Sequence, residues 1–441
     1  MNYQDFTNLQ TPCYVFSLDE LTERLRRIRA LLGGRYRLVY AMKANPFLIE
    51  AALPFVDALE VCSPGEEKIC EAAGIPPEKL VLSGVNKEPE NFRHIAGRCK
   101  DVPVYTAESP AQLRMLDEIA RERQLVFRVL LRVTAGNQFG MDEPDLFELI
   151  RIRDQYPGIT VCGLQYFSGT QKFARQIRSE VRYLDDLLER LRTETGFVPD
   201  VLEYGPGLSV SYFENETDKD DAEVIAALTE QLDGMRFSGP VALEMGRYLA
   251  AYCGYYATRI ADCKQISGRT CCIVDGGIHQ VNYFGQAMAM KVPHILTKAD
   301  MTDQRADMAD KQPDTAEKQP DEEARNLGIS DQAKSCMVCG SLCTTADVLV
   351  REITLPDPQP GDLLVFTRTG AYSVTEGISL FLSRSLPRVY LAFSSDDRKN
   401  LTGESAEISS SASVCAGNTN QRIIEVRTEL PTWRMNYGTI T

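Results

Sequence analysis

The chain has 441 residues, 44% hydrophobic and 25% charged, with a formal net charge of −14. That acid excess argues against nucleic acid, whose phosphate backbone is bound by basic surfaces. Met1–Glu20 is polar and acidic rather than a basic stretch leading into an apolar one, and no apolar run reaches the ~18 residues a membrane span needs. The expectation is a cytoplasmic protein that binds neither membrane nor nucleic acid, long enough for two domains.

Thirteen cysteines without a secretory segment read as reduced thiols rather than a disulfide framework. Cys336-x-x-Cys339-x-x-x-Cys343 has a metal-like spacing. A fourth ligand is not evident nearby, and the chain holds only His94, His279 and His294, so no metal is expected.

Thr11–Phe16 is β-branched and aromatic and predicts a short strand. Leu18–Leu32 has apolar residues at helical spacing, with Ser17 and Asp19 as candidate N-caps. Eight apolar runs follow: Tyr36–Met42, Ala58–Ser63, Lys79–Gly84, Val102–Ala107, Leu125–Val133, Ile159–Phe167, Val201–Tyr204 and Pro240–Met245. Helical stretches such as Gln112–Arg123, Asp145–Asp154 and Glu180–Thr193 lie between them, and Tyr248–Ile260 reads as a last helix. Eight strand-helix pairs suit a (β/α)₈ barrel of TIM type, and no Gly-x-Gly-x-x-Gly follows the first strand to favour an open doubly wound sheet.

Beyond residue 260 the texture changes. Cys271–Asp275, Asp347–Thr354, Asp362–Thr367, Arg388–Phe393 and Arg422–Thr428 are short β-like runs between turn residues, the pattern of an antiparallel sheet or small barrel. The expected organisation is an N-terminal strand and helix over 1–33, a barrel over 34–260 and a β domain over 261–441 that the first strand completes. Thr297–Lys334 and Ser394–Asn420 are too polar to offset their ordering entropy and read as mobile insertions, with no function assigned.

Active sites of such barrels lie at the C-terminal strand ends. Those ends carry Lys43, Ser63-Pro64-Gly65-Glu66, Ser83–Asn86, Arg132, Phe167–Thr170, Gly205-Pro206-Gly207 and Glu244-Met245-Gly246-Arg247. Lys43, in Tyr40-Ala41-Met42-Lys43-Ala44-Asn45-Pro46, is either a lysine that snorkels off a strand end or one with a lowered pKa that forms a Schiff base. A glycine turn beside an arginine at strands seven and eight suits a phosphate. Lysine for a carbonyl, glycines for a phosphate and an acid for a ring nitrogen together describe a pyridoxal phosphate site.

The sequence resembles the pyridoxal-phosphate-dependent decarboxylases of the alanine-racemase fold, which include diaminopimelate, ornithine and arginine decarboxylases. The resemblance rests on Tyr40–Asn45, Ser63-x-Gly65-Glu66, Gly205-x-Gly207-Leu208, Glu244-x-Gly246-Arg247, Val274-Asp275-Gly276-Gly277, Cys343-x-x-x-Asp347 and Gly370-Ala371-Tyr372, in family order. It implies an amino-acid decarboxylase that releases carbon dioxide from the α-carbon. Lys43 would hold the cofactor as a Schiff base and pass it to the substrate amine. Glu244 would keep the ring nitrogen protonated for a quinonoid. The Gly205–Leu208 loop, Gly246, Arg247 and Tyr372 would bind phosphate, with Ser63 and Phe167 also at the cofactor. Cys343 would protonate the quinonoid carbon or position the substrate, beside Arg132, Thr344 and Asp347. In the family the Cys343 segment crosses a dimer interface, so a homodimer with shared sites is implied.

Alanine racemases of this fold set an arginine, not a carboxylate, against the ring nitrogen, so racemisation is the lesser reading. A catalytically silent homologue that binds a partner or merely stores the cofactor is a second alternative. Three departures stand out: Phe167 where the family usually has histidine, Pro206 inside the glycine triplet, and Thr344-Thr345 where diamino-acid decarboxylases have an acid after the cysteine. A phenyl ring stacks but carries no charge, and proline offers no N–H. A neutral threonine gives a distal ammonium nothing to pair with. The Cys-Thr pair resembles members acting on derivatised amino acids, such as a carrier-linked glutamyl group or a citryl-linked diaminopropionate, beside which a free amino acid of diaminopimelate or ornithine type stays open.

Overall fold

The computed structural model describes residues 1–98, 103–300, 333–394, 414–416 and 421–427. The chain divides into two compact units. One comprises Met1–Glu20, Ser211–Thr217 and the chain from Ala251 onward; the other comprises Leu21–Val210 and Asp218–Ala250. Among the described residues no helix is long and apolar enough to cross a membrane.

After β1 (Cys13–Ser17), eight parallel strands close into a barrel: β2 (Tyr36–Ala41), β3 (Ala58–Val61), β4 (Leu80–Leu82), β5 (Val104–Ala107), β6 (Phe127–Val133), β7 (Ile159–Phe167), β8 (Val201–Gly205) and β9 (Val241–Met245). β9 returns to β2 with Val39 opposite Glu244. The intervening helices bury one face each. In Ala174–Thr195 that face is Ile177, Val181, Leu184, Leu188 and Leu191, and Gly196 ends the helix at φ 68°.

Side-chain alternation turns the barrel's interior into layers. Val39, Val81 and Ala242 form one apolar cluster with Ala58, Val104 and Val201. Two residues further along the strands stand Glu60, Ser83, Thr106, Glu203 and Glu244, all buried. A dry layer thus carries a polar one at the C-terminal ends.

The second unit holds a ten-stranded sheet of β1 with β10 (Gly254–Ile266), β11 (Arg269–Val274), β12 (Ile295–Leu296), β13 (Ala333–Cys339), β14 (Val348–Pro356), β15 (Leu363–Thr367), β16 (Arg388–Ser394), β17 (Val414–Ala416) and β18 (Gln421–Arg427). The sheet is mixed, because β1 runs parallel to β16 and β11 parallel to β13. Its core includes Phe6, Val15, Tyr255, Val365 and Tyr390.

The helix expected over Tyr248–Ile260 is not there. A four-residue helix, Arg247–Ala250, is followed by a 3₁₀ turn and then by β10, which pairs with β1 and β15. Tyr255, Tyr256, Thr258 and Ile260 favour strand, and a ladder on each side satisfies their backbone. Most of the two expected insertions, 301–332 and 395–413 with 417–420, lies outside the described residues. Within their bounds, β13 begins at Ala333 and β17 occupies Val414–Ala416.

The layering makes a direct prediction. Val81→Ala, which shortens one member of the dry layer, should lower unfolding free energy by about 2 kcal/mol. Val81→Asp, which places an unpaired carboxylate there, should cost at least about 4 kcal/mol. Guanidinium unfolding of the two variants measures both.

Candidate active site

Lys43 sits in a 3₁₀ turn, Met42–Ala44, immediately after β2. Its Nζ donates to Glu60 Oε2 at 2.7 Å and lies 3.5 Å from Glu244 Oε1 and 3.6 Å from Cys62 Sγ. The lysine side chain is 34% exposed, against 3% and 6% for the two acids. The amine therefore opens to the barrel mouth while its counter-charges stay dry.

A third carboxyl, Glu203, joins them through Gln165. The Gln165 amide nitrogen donates to Glu203 Oε1 at 2.7 Å and Glu244 Oε2 at 3.3 Å. Burial, followed by the neighbouring Glu244 charge, pushes Glu203 up to about 8. Burial and then Glu60 push Glu244 up to about 7, against the pull of Lys43. Glu60 goes the other way: burial would raise it, but the Lys43 charge and hydrogen bond with the Cys62 hydrogen bond outweigh that. At neutral pH Glu60 is the ionised partner of Lys43, Glu203 holds a proton and Glu244 is poised between.

Arg132, at the end of β6, pairs with Glu108 at 3.0 Å and stacks over Phe139 at 4.7 Å. Glu108 also accepts from the Gly140 N–H at 3.0 Å, fixing the loop after β6. Lys87 is buried nearby, donating to the Gly84 carbonyl at 2.6 Å, and burial lowers it to about 8 although Glu108 resists.

At strands seven and eight, Gly207 has φ 59°, and a Cβ on it would lie 2.1 Å from the Gly169 carbonyl oxygen. Its own carbonyl accepts from the Lys172 N–H at 2.9 Å, and Leu208 is buried beside that bridge. A Cβ on Gly205 would collide with the Phe167 ring at 2.5 Å, so this glycine lets ring and loop touch. Lys172 was not anticipated. Its Nζ pairs with Glu180 at 2.7 Å and lies 5.6 Å from the Phe167 ring centre, placing charge beside a phenyl that carries none. Glu180 also takes the Tyr204 hydroxyl at 2.7 Å and the Ser168 hydroxyl. Arg247 is buried and donates to Thr170 Oγ1 at 3.2 Å. Gly246 brings β9 against β2, since its Cβ would sit 2.9 Å from that of Ala44. Ser63 uses its hydroxyl as the N-cap of the helix Pro64–Ala72, accepting from the Glu66 N–H at 3.2 Å.

In the sheet unit, Cys343 is exposed on the β13–β14 loop with Thr344 beside it. Asp347 does not face outward as a substrate residue would. It is 2% exposed, and its carboxylate accepts from the Ile278 N–H at 2.9 Å and the Leu342 N–H at 2.7 Å, anchoring the loop. Asp275 plays a similar part for β10, accepting from Thr258 Oγ1 and Thr11 Oγ1 at 2.6 Å. Tyr372 lies at a turn with φ 68° whose carbonyl accepts from the Thr375 and Glu376 N–H groups.

A family model for the pyridoxal-dependent decarboxylase pyridoxal-binding domain matches residues 18–251. The chain belongs to the pyridoxal-dependent decarboxylases. It is 24% identical to the L-glutamyl-[BtrI acyl-carrier protein] decarboxylase of Niallia circulans, over 86% of this chain and 88% of that one. It is 25% identical to the 2-[(L-alanin-3-ylcarbamoyl)methyl]-2-hydroxybutanedioate decarboxylase of Staphylococcus aureus, over 87% and 95%. The M. jannaschii diaminopimelate decarboxylase structure with L-lysine has the same fold, with a TM-score of 0.76 at 19% identity over 99% of this chain and 93% of that one.

The cofactor of this family is pyridoxal phosphate, and the barrel mouth suits it. An amine stands among acids, a glycine loop lies at strands seven and eight, and two buried polar atoms, Gln165 Oε1 and Arg132 Nε, have no hydrogen-bond partner among the described residues. Those are features a polar ring with a phosphate tail satisfies.

The raised acids carry a pH prediction. Glu203 and Glu244 bind their protons more tightly folded than unfolded, so their stabilising contribution is complete below about pH 4.5 and is lost as pH rises through about 7 to 8. Cofactor-free protein should lose unfolding free energy between about pH 5 and pH 8, and Glu203→Gln should flatten that slope. Urea unfolding at stepped pH reads both curves.

Proposed function

We propose that the substrate is the α-amino acid end of a derivatised amino acid, decarboxylated at the Lys43 site of a homodimer. The observation that carries the substrate class is Thr344, a neutral residue directly after the exposed Cys343. A free distal ammonium gains no counter-charge there, whereas an amide or ester linkage loses nothing. The names of two relatives, one carrier-linked and one linked to a hydroxytricarboxylate skeleton, support this reading.

When bound, pyridoxal phosphate supplies a carbonyl for the substrate amine and a ring that takes up the electrons of the breaking carbon–carboxylate bond. Lys43 Nζ would hold the cofactor at the barrel mouth, where its side chain is partly exposed to an arriving amine. Glu60, ionised 2.7 Å away, would pair with Lys43 whenever its amine is free and protonated. Glu244, buried and raised toward neutrality, holds a proton at its carboxyl oxygen for the ring nitrogen. Gln165 orients that carboxyl, and protonated Glu203, the other acceptor of the same amide nitrogen, adds no negative charge. The Gly205–Leu208 loop, Gly246 and Arg247 would hold the phosphate, the Lys172 N–H fixing the loop through the Gly207 carbonyl. Cys343, reaching into the partner's site, delivers a proton to the α-carbon. A carboxylate at Glu244 would keep the ring nitrogen protonated and so favours carbon dioxide loss, whereas the arginine of the racemases would weaken that electron sink.

Two experiments test these assignments. Carbon dioxide release across carrier-linked, citryl-linked and free amino acids should favour the linked ones by at least ~100-fold in kcat/KM; efficient turnover of free diaminopimelate, lysine or ornithine sinks the substrate class. Lys43→Ala and Cys343→Ala should each lose at least ~10²-fold activity, and Lys43→Ala should abolish borohydride-fixed cofactor on its peptide. Mixed in equal amounts and allowed to exchange subunits, the two variants should recover about a quarter of wild-type activity, because half the dimers then carry one intact site. No recovery despite exchange refutes the shared site.

A further inference from the structure

The Cys336-x-x-Cys339 pair lies on β13, where residues three apart point to opposite faces of the sheet. The two thiols therefore do not converge, and among the described residues no group of three ligands is placed to hold a metal. Each thiol instead meets one from a neighbouring strand. On one face Cys263 of β10 stands directly opposite Cys272 of β11, Sγ to Sγ 3.6 Å, with Cys336 hydrogen-bonded beside Cys272. On the other face Cys271 and Cys339 approach to 3.7 Å.

We propose that Cys263 and Cys272 form a reversible disulfide site, closed by a peroxide and reopened by thiols. Register separates this pair from its neighbours. Directly opposed residues of an antiparallel ladder have Cα atoms ~4.5 or ~5.5 Å apart, both within the span a disulfide bridges. Cys271 and Cys339 are diagonal, since Cys271 pairs with Met337 and Cys339 with Ile273 in a parallel ladder. One strand across and two residues along is roughly 8 Å between Cα atoms, beyond the ~7 Å limit without backbone movement. Cys272 and Cys336 are diagonal in the same way.

Access gives the order of events. Cys263 is half-buried, whereas Cys272 and Cys336 are buried, and burial raises both of those thiols. The Cys263 sulfur attacks the peroxide oxygen, giving a sulfenic acid and one water. The Cys272 sulfur then attacks the Cys263 sulfur, its proton leaving with the hydroxyl as a second water. Two thiols lose two electrons and one hydrogen peroxide becomes two waters. The hairpin turn at Ser267 and Gly268 already holds the strands together, so the bond adds a covalent rung to a ladder in place. The site is independent of the decarboxylation reading.

The test exposes native holoenzyme to a few equivalents of hydrogen peroxide, blocks free thiols with N-ethylmaleimide and maps the peptides by mass spectrometry. A Cys263–Cys272 linked peptide, lighter by two hydrogens and returned to thiols by dithiothreitol, is expected. Cys271→Ser should leave it intact and Cys263→Ala should abolish it. A Cys271–Cys339 or Cys272–Cys336 link in its place, over-oxidised Cys263 without a link, or unreacted Cys263 overturns the proposal. Because the map is read on unmodified protein, it decides even if a variant fails to fold.

Discussion

A buried carboxylate and a primary amine can share the mouth of a barrel only on mutual terms. Glu60, almost wholly removed from water, is ionised because the Lys43 ammonium lies 2.7 Å away. Removing Lys43 would strand the Glu60 charge in a dry place, whereas removing Glu60 leaves a lysine that still reaches the barrel mouth. One cation does not neutralise three acids. Burial, and after it the neighbouring acid charge, therefore moves Glu203 and Glu244 toward their neutral forms, and the protonation of each depends on the occupancy of the others.

Much of this was legible from side-chain order along the chain. The lysine-bearing stretch after the first barrel strand, the eight apolar runs and the helix Leu18–Leu32 agree with the structure, because each is a strong period bounded by turn residues. Glu60 and Glu203 are not marked by the local sequence, for a physical reason. Each stands inside a short strand, and an acid there reads as the polar face until strand-to-strand closure shows it pointing inward. Counting two residues from an apolar interior position toward the strand end would have found both. Lys172 and Glu180 meet only through the fold, across eight residues and a helix start, so no local pattern announces them. The stretch Tyr248–Ile260 predicts a helix and from Gly254 is strand instead, because short buried apolar runs carry no period that separates the two structures.

The sheet unit shows the opposite lesson about motifs. Val274–Gly277 and Cys343-x-x-x-Asp347 look like clusters of reactive groups, yet Asp275 and Asp347 spend their oxygens on backbone N–H groups and hydroxyls. Ser341 N–H also donates to the Gly276 carbonyl, so the two motifs tie one loop to the other. What recurs as a pattern there is loop architecture. Of those residues Cys343 alone keeps a reactive group turned outward.

β2 and β9 are adjacent strands, and Gly246 allows their ends to close against each other. Val39 and Glu244 are directly opposed across that pair, and the short turn Met42–Ala44 after β2 carries Lys43 to where its Nζ comes within 3.5 Å of Glu244, a separation set by strand register and one tight turn. Loops elsewhere on the rim are free to lengthen, shorten or change partners over evolutionary time without detuning that separation. Substrate range can drift while the reacting centre keeps its gauge.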